Sequence, residues 1–144
     1  MLANGGATLR KFTDEIEEFC KQHEGDAAMK EYVDTLRLHV TEWHELVQKL
    51  LEKSMANFDE AGAASYDFMS YSGYVIFGYF FGRMAAIAQK ALAAGTDEKT
   101  FYESKLATAR FYFKRLLPRT RGLVQTMQAG ADTLMSLPEE AFGN

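Results

Sequence analysis

Residues 29–50 read MKEYVDTLRLHVTEWHELVQKL, and their spacing decides the fold. Met29, Val33, Leu36, Val40, Trp43, Val47 and Leu50 recur at intervals of four and three. Side chains three and four apart share one face of a helix, so this rhythm is the apolar seam of a bundle or coiled coil. Upstream, Leu9, Phe12, Ile16, Phe19 and Cys20 form a second, shorter stripe. Gly25 is expected to end that first helix, and Asp26 to cap the next. Downstream, the seam fades between Asn57 and Gly62, which read as a turn.

A third helix is expected from Ala63 to Ala94, closed by Gly95. It is apolar almost all round, as in helices buried on several sides. Gly78, Gly82 and Ala86 fall four apart, where small residues let a neighbouring helix come close. Thr96 is expected to cap a fourth helix, with Asp97 and Glu98 favourably placed in its first turn. That helix carries Tyr102, Leu106, Ala109, Phe113, Leu116, Leu123 and Met127 on its stripe. Pro118 lacks a backbone donor and should kink or split it, and Gly130 should end it. Ser136 to Glu139 has capping-box spacing, with too few residues after it for a real helix.

The expected fold is all-α: an antiparallel up-down four-helix bundle with one short and three long helices. The long ones run about 30 residues, or roughly 45 Å. Residues 1–144 are expected to form a single helical domain, with 1–7 a flexible lead-in and 131–144 a tail.

Composition agrees. The chain has 144 residues, 47% of them hydrophobic, which suits one domain with one core and excludes disorder. No proline occurs before Pro118, which favours long helices. A net charge of −4 disfavours a nucleic-acid binder that works through bulk charge. A single cysteine excludes an internal disulfide and a Cys-based zinc site, and fits a cytoplasmic location. Residues 1–25 lack the apolar run of a secretory signal. The most apolar stretch is the fifteen residues between Asp67 and Arg83. A membrane-spanning helix needs about 20, so a core helix is expected and no membrane partner. Charge is unevenly spread: residues 1–60 hold thirteen acids and seven bases, and residues 96–121 hold three acids and seven bases. The two regions can attract each other or face a partner.

Motifs for chemistry are absent. His23, His39 and His44 are preceded at the third position by Cys20, Leu36 and Thr41, so the Glu-x-x-His of a di-iron bundle is missing. His39 reads as a packed or rim histidine. No phosphate-binding glycine loop and no Gly-x-Ser-x-Gly elbow occurs. Cys20 sits on an apolar stripe and reads as a buried small hydrophobe. Asp67 and Arg83 are each expected to find a partner on a neighbouring helix, or an end of it near water; a buried ion pair is the plain reading, and the alternative for Arg83 is a ligand carboxylate or phosphate. The third helix's aromatics have no Arg or Lys among them from Ala61 to Gly82, so core packing or a protein interface is expected. Lys105, Arg110, Lys114, Arg115, Arg119 and Arg121 read as a solvated face, or as a dock for an acidic or phosphate-bearing partner. Catalytic, cofactor-binding and metal residues are all expected to be none.

The run Phe101-Tyr102-Glu103-Ser104-Lys105-Leu106-Ala107-Thr108-Ala109-Arg110-Phe111-Tyr112-Phe113, followed by Leu116-Leu117-Pro118, resembles the C-terminal extension of bacterial acyl-CoA dehydrogenases. The subgroup is that of enzymes similar to 3-methylmercaptopropionyl-CoA dehydrogenase. Ala64-Ser65-Tyr66-Asp67-Phe68, Gly73, Gly78-Tyr79 and Arg83-Met84-Ala85 also match, as do Ala129-Gly130-Ala131-Asp132 and Glu139-Glu140-Ala141-Phe142. The resemblance covers roughly Gly25 to Phe142. It implies an accessory helical domain of a flavoprotein, with a structural or oligomerisation role. The parent enzymes oxidise acyl-CoA to enoyl-CoA with FAD, in a catalytic body that this chain lacks. The resemblance carries no catalytic or flavin-binding residue onto any position here, and the chain alone is expected to be inactive. The partners it implies are that catalytic body and further copies in a homo-oligomer. The chain reads as an excised domain or the product of a truncated gene. The alternative is a stand-alone four-helix module that dimerises through its aromatic third helix; a ligand-binding bundle comes third. The DNA sequence directly before Met1 discriminates among them.

Overall fold

The seam of residues 29–50 becomes the inner face of a helix over Lys30–Ala56. Val33, Leu36, Val40, Trp43, Val47 and Leu50 are all buried, and so is Met29 just before it. In the computed structural model, which describes residues 6–143, no strand occurs among those residues. The elements are α1 (Ala7–Gln22), α2 (Lys30–Ala56), α3 (Asp59–Ala93), α4 (Lys99–Phe111), α5 (Thr120–Gln128) and α6 (Asp132–Met135). A π turn over Tyr112–Leu116 and a 3-10 turn over Leu117–Arg119 join α4 to α5, and a last 3-10 turn covers Glu139–Phe142.

The expected helix boundaries shift in four places. Thr96 does not cap α4: its hydroxyl accepts the Glu98 N–H at 3.2 Å in the turn ahead of the helix, and Glu98 occupies the capping position. Asp26 does not cap α2. Its carboxylate accepts the Ala28 N–H at 2.9 Å in a turn ahead of the helix, and Met29 occupies the capping position. The break between α2 and α3 is narrower than 57–62. Asn57 is extended, its side chain accepts the Asp59 N–H at 3.1 Å, and Gly62 already lies inside α3. The fourth helix is split where Pro118 stands, so it is two shorter helices around a π and a 3-10 turn. Proline removes a donor and crowds the carbonyl four residues back, and the backbone answers by changing its hydrogen-bond period. Most of the lead-in lies outside the described residues. Gly25 and Gly95 follow their helices at φ +85° and +77°, a conformation that favours glycine.

α3 touches α2, α4 and α5, and α1 lies on α2. Contacts between consecutive helices run in opposite numerical order. Thr13 meets His44 and Cys20 meets Val33. Leu36 faces Gly82 while Trp43 faces Tyr71. Phe81 stacks on Tyr112 at 4.4 Å, and Glu60 reaches Ala131. Gly78 and Gly82 are where α3 is filled most closely. A Cβ on Gly82 would sit 3.3 Å from Leu36 Cδ1 and 3.4 Å from Phe19 Cε1.

Candidate functional site

Three groups of residues could carry function: a polar network at the helix break, the basic run, and the outward face of α3.

The network joins α2 and α3 to the break before α5. His39 Nδ1 lies 2.8 Å from the Thr35 carbonyl, so it must donate there. Its Nε2 lies 3.3 Å from Thr120 Oγ1, and the Thr120 hydroxyl lies 2.7 Å from the Leu117 carbonyl it bonds to. The same Leu117 carbonyl also accepts the Thr120 backbone N–H. Tyr71 donates to Glu42 Oε2 at 2.7 Å, with the His39 carbonyl at 3.1 Å. Burial, and then the Glu42 carboxylate, hold the Tyr71 phenol well above the usual tyrosine range. Nδ1 of His39 and the Tyr71 hydroxyl are engaged within the chain, and Nε2 of His39 faces Thr120 Oγ1. The network ties the break to α2 and α3 and presents no free nucleophile or base. His39 is the packed rim histidine that the sequence indicates.

The basic run divides. Arg110 Nε donates to Glu31 Oε1 at 3.0 Å, and Lys114 Nζ lies 3.7 Å from Glu31 Oε2, so these two bind the early acidic region to the late basic one. The Lys105 ammonium lies 4.8 Å from the centre of the Phe101 ring. Arg115, Arg119 and Arg121 are exposed and form no ion pair among the described residues.

The ion pairs expected for Asp67 and Arg83 do not form among the described residues. Arg83 is exposed, with its guanidinium 5.6 Å from the centre of the Tyr79 ring, and Asp67 is half-buried. A charge at the surface stays hydrated and needs no partner. Cys20 is fully buried, and burial pushes its thiol up to about 11, against the opposing pull of Arg37. No group of three or more His, Cys, Asp or Glu side chains that could hold a metal ion occurs among the described residues. No helix among them is long and apolar enough to cross a membrane.

Fourteen large apolar side chains are exposed among the described residues, and five of them lie on the outward face of α3. Tyr66, Met69, Phe77, Phe80 and Ile87 are between 49% and 72% exposed. Arg83 is the one charged side chain among residues 68–89 of that helix. Exposed apolar surface concentrated on one helix marks an interface.

The sequence matches a family described as "Acetyl-CoA dehydrogenase C-terminal like" over residues 12–138. The chain belongs to that family. It is 30% identical to a broad-specificity linear acyl-CoA dehydrogenase, FadE5, of Mycobacterium tuberculosis, over 95% of this chain and 24% of that enzyme. It is 39% identical to a butyryl-CoA dehydrogenase of Syntrophomonas wolfei, over 40% of this chain and 10% of that enzyme. The chain thus spans about a quarter of the length of the first relative. This supports the acyl-CoA dehydrogenase resemblance read from α3 and α4.

Sequence reasoning missed Thr120, the Tyr71–Glu42 bond and Glu60. Glu60 Oε1 accepts the Ala131 N–H at 3.1 Å, and Lys53 donates to the Gln128 carbonyl at 3.1 Å beside it. These pairs lie far apart in the chain, and no local pattern signals them.

Proposed function

We propose that the chain acts as the accessory C-terminal helical domain of an FAD-dependent acyl-CoA dehydrogenase that forms enoyl-CoA. Its role there is structural: it packs on the catalytic body and supports the assembly, and it supplies no catalytic, flavin-binding or metal-binding residue. The observation that carries this reading is the family match over residues 12–138. The groove between α1 and α3 does not suit FAD. The groove between α1 and α3 is lined by Asp14, Glu15, Glu17 and Glu18 against Lys11, Lys21 and Arg83, which opposes a pyrophosphate. The dehydrogenase subgroup is the one similar to 3-methylmercaptopropionyl-CoA dehydrogenase, on the motifs of α3 and α4. The domain is a single antiparallel up-down four-helix bundle with a tail over 131–144; the opposed order of the helix contacts supports this. Its location is cytoplasmic, and its partners include no nucleic acid.

The test removes the matched stretch from the Mycobacterium relative. The truncated enzyme is expected to keep its flavin band and to lose thermal stability or its assembly state. A truncated enzyme that stays folded but loses its flavin or all oxidation of acyl-CoA would overturn a purely structural role. The bare face of α3 favours a second reading, a stand-alone interaction module. Co-purification of the chain with the truncated body separates the two: capture supports the accessory domain, and failure to associate supports the module.

A further inference from the structure

We propose that the outward face of α3 is a two-fold interface between two copies of this chain, with the axis passing beside Gly73. The proposal goes beyond the accessory-domain reading, and its failure leaves that reading standing.

Four exposed apolar residues are spaced evenly about Gly73. Met69 and Phe77 lie four residues before and after it, and Tyr66 and Phe80 seven before and after. At 3.6 residues per turn, all five fall within an arc of roughly 80°, with Gly73 at its middle. A pattern with this symmetry matches itself when a second copy runs antiparallel. Tyr66 of each copy then lies level with Phe80 of the other, Met69 with Phe77, and Gly73 with Gly73. That is the isologous arrangement of a two-fold dimer.

Gly73 supplies a second argument. A Cβ there would meet nothing within 4 Å in this chain, unlike one at Gly82. Glycine is the poorest helix residue after proline, so a glycine at mid-helix without an internal packing reason weakens the isolated helix. Two helices that cross at a glycine can approach more closely than any side chain allows. Charge points to the same occupant. Asp59 begins α3, Glu60 beside it being turned inward to Ala131 and Lys53, while Arg83 and Lys90 lie towards its end. An antiparallel partner lays the acidic start of one helix beside the basic end of the other, and opposes the two helix dipoles. A parallel partner would set like ends together. Arg110 and Lys114 turn to Glu31 on α2, so they do not border this face.

Sedimentation velocity on the purified chain reads the assembly directly, and a monomer–dimer equilibrium is expected. Gly73→Leu should weaken dimerisation at least tenfold and leave helicity unchanged, since the monomer has open space at that position. Short-spacer bismaleimide cross-linking fixes the register. Met69→Cys mixed with Phe77→Cys should give a cross-linked dimer. Tyr66→Cys mixed with Phe80→Cys should give a cross-linked dimer, and neither variant should do so alone. Cys20 is buried and should stay unlabelled. A strictly monomeric chain would overturn the proposal, as would a dimer that fails to cross-link in this register. A monomer whose α3 face binds a dehydrogenase body or lipid vesicles, and loses that binding in Gly73→Leu, would assign the face to that occupant and overturn it equally.

Discussion

Gly82 and Gly122 show how one residue type serves two purposes. Gly82 lies under Leu36 and Phe19, while a Cβ on Gly122 would meet nothing within 4 Å. Gly82→Leu must push its branched end into filled space. Overpacking costs about 1–3 kcal/mol or more, and helix propensity returns at most ~1 kcal/mol. The variant should therefore melt below wild type. Gly122→Ala has no packing cost and should stabilise by up to about 1 kcal/mol, read from the urea midpoint at unchanged slope. Burial also sets a pH limit. Folding raises the Cys20 thiol to about 11 from the 9.0 of an unperturbed thiol, and raises the Tyr71 and Tyr112 phenols. A group whose pKa is raised on folding stabilises fully below its unfolded value, and that stability fades as pH rises through the folded one. Stability should therefore fall progressively above about pH 9. Cys20→Ala, although less stable at neutral pH, should show a shallower alkaline decline in chemical denaturation.

At the scale of elements, the seam of α2 and the stripe of α1 were legible because each has one apolar face with a helical period. α3 was legible as a helix but not in its packing. Its apolar residues surround it, so periodicity could not tell Val75, which is buried, from Phe77, which is exposed. The buried ion-pair reading of Asp67 and Arg83 fails for the same reason: on an all-round apolar helix, a charge looks buried wherever it stands, whereas Arg83 reaches water. Pro118 announced the break before α5, but the π and 3-10 turns that absorb it depend on neighbours. Tyr112 is one of them, stacked on Phe81 with its hydroxyl donating to the Tyr74 carbonyl at 2.9 Å. Tyr112→Phe should cost about 0.5–1.5 kcal/mol, the worth of one hydrogen bond. Tyr112→Ala should cost about 3–5 kcal/mol by leaving a cavity. Thermal melts of the two variants separate the bond from the packing. Glu60, which holds the Ala131 N–H from the start of α3, was invisible in sequence because its partner is 71 residues away.

At the scale of the whole molecule, the chain spends its polar groups on holding helices together and leaves one apolar face outward. His39, Thr120, Tyr71 and Glu42 are engaged with one another or with backbone, and Glu31 gathers Arg110 and Lys114. The accessory role of this domain is tested most directly by flavin retention. The purified chain would be mixed with excess FAD, passed through gel filtration, and read at 450 nm, then supplied with acyl-CoA and an electron-accepting dye. The chain should elute colourless and leave the dye unreduced. Stoichiometric flavin absorbance, with dye reduction that depends on acyl-CoA, would contradict it.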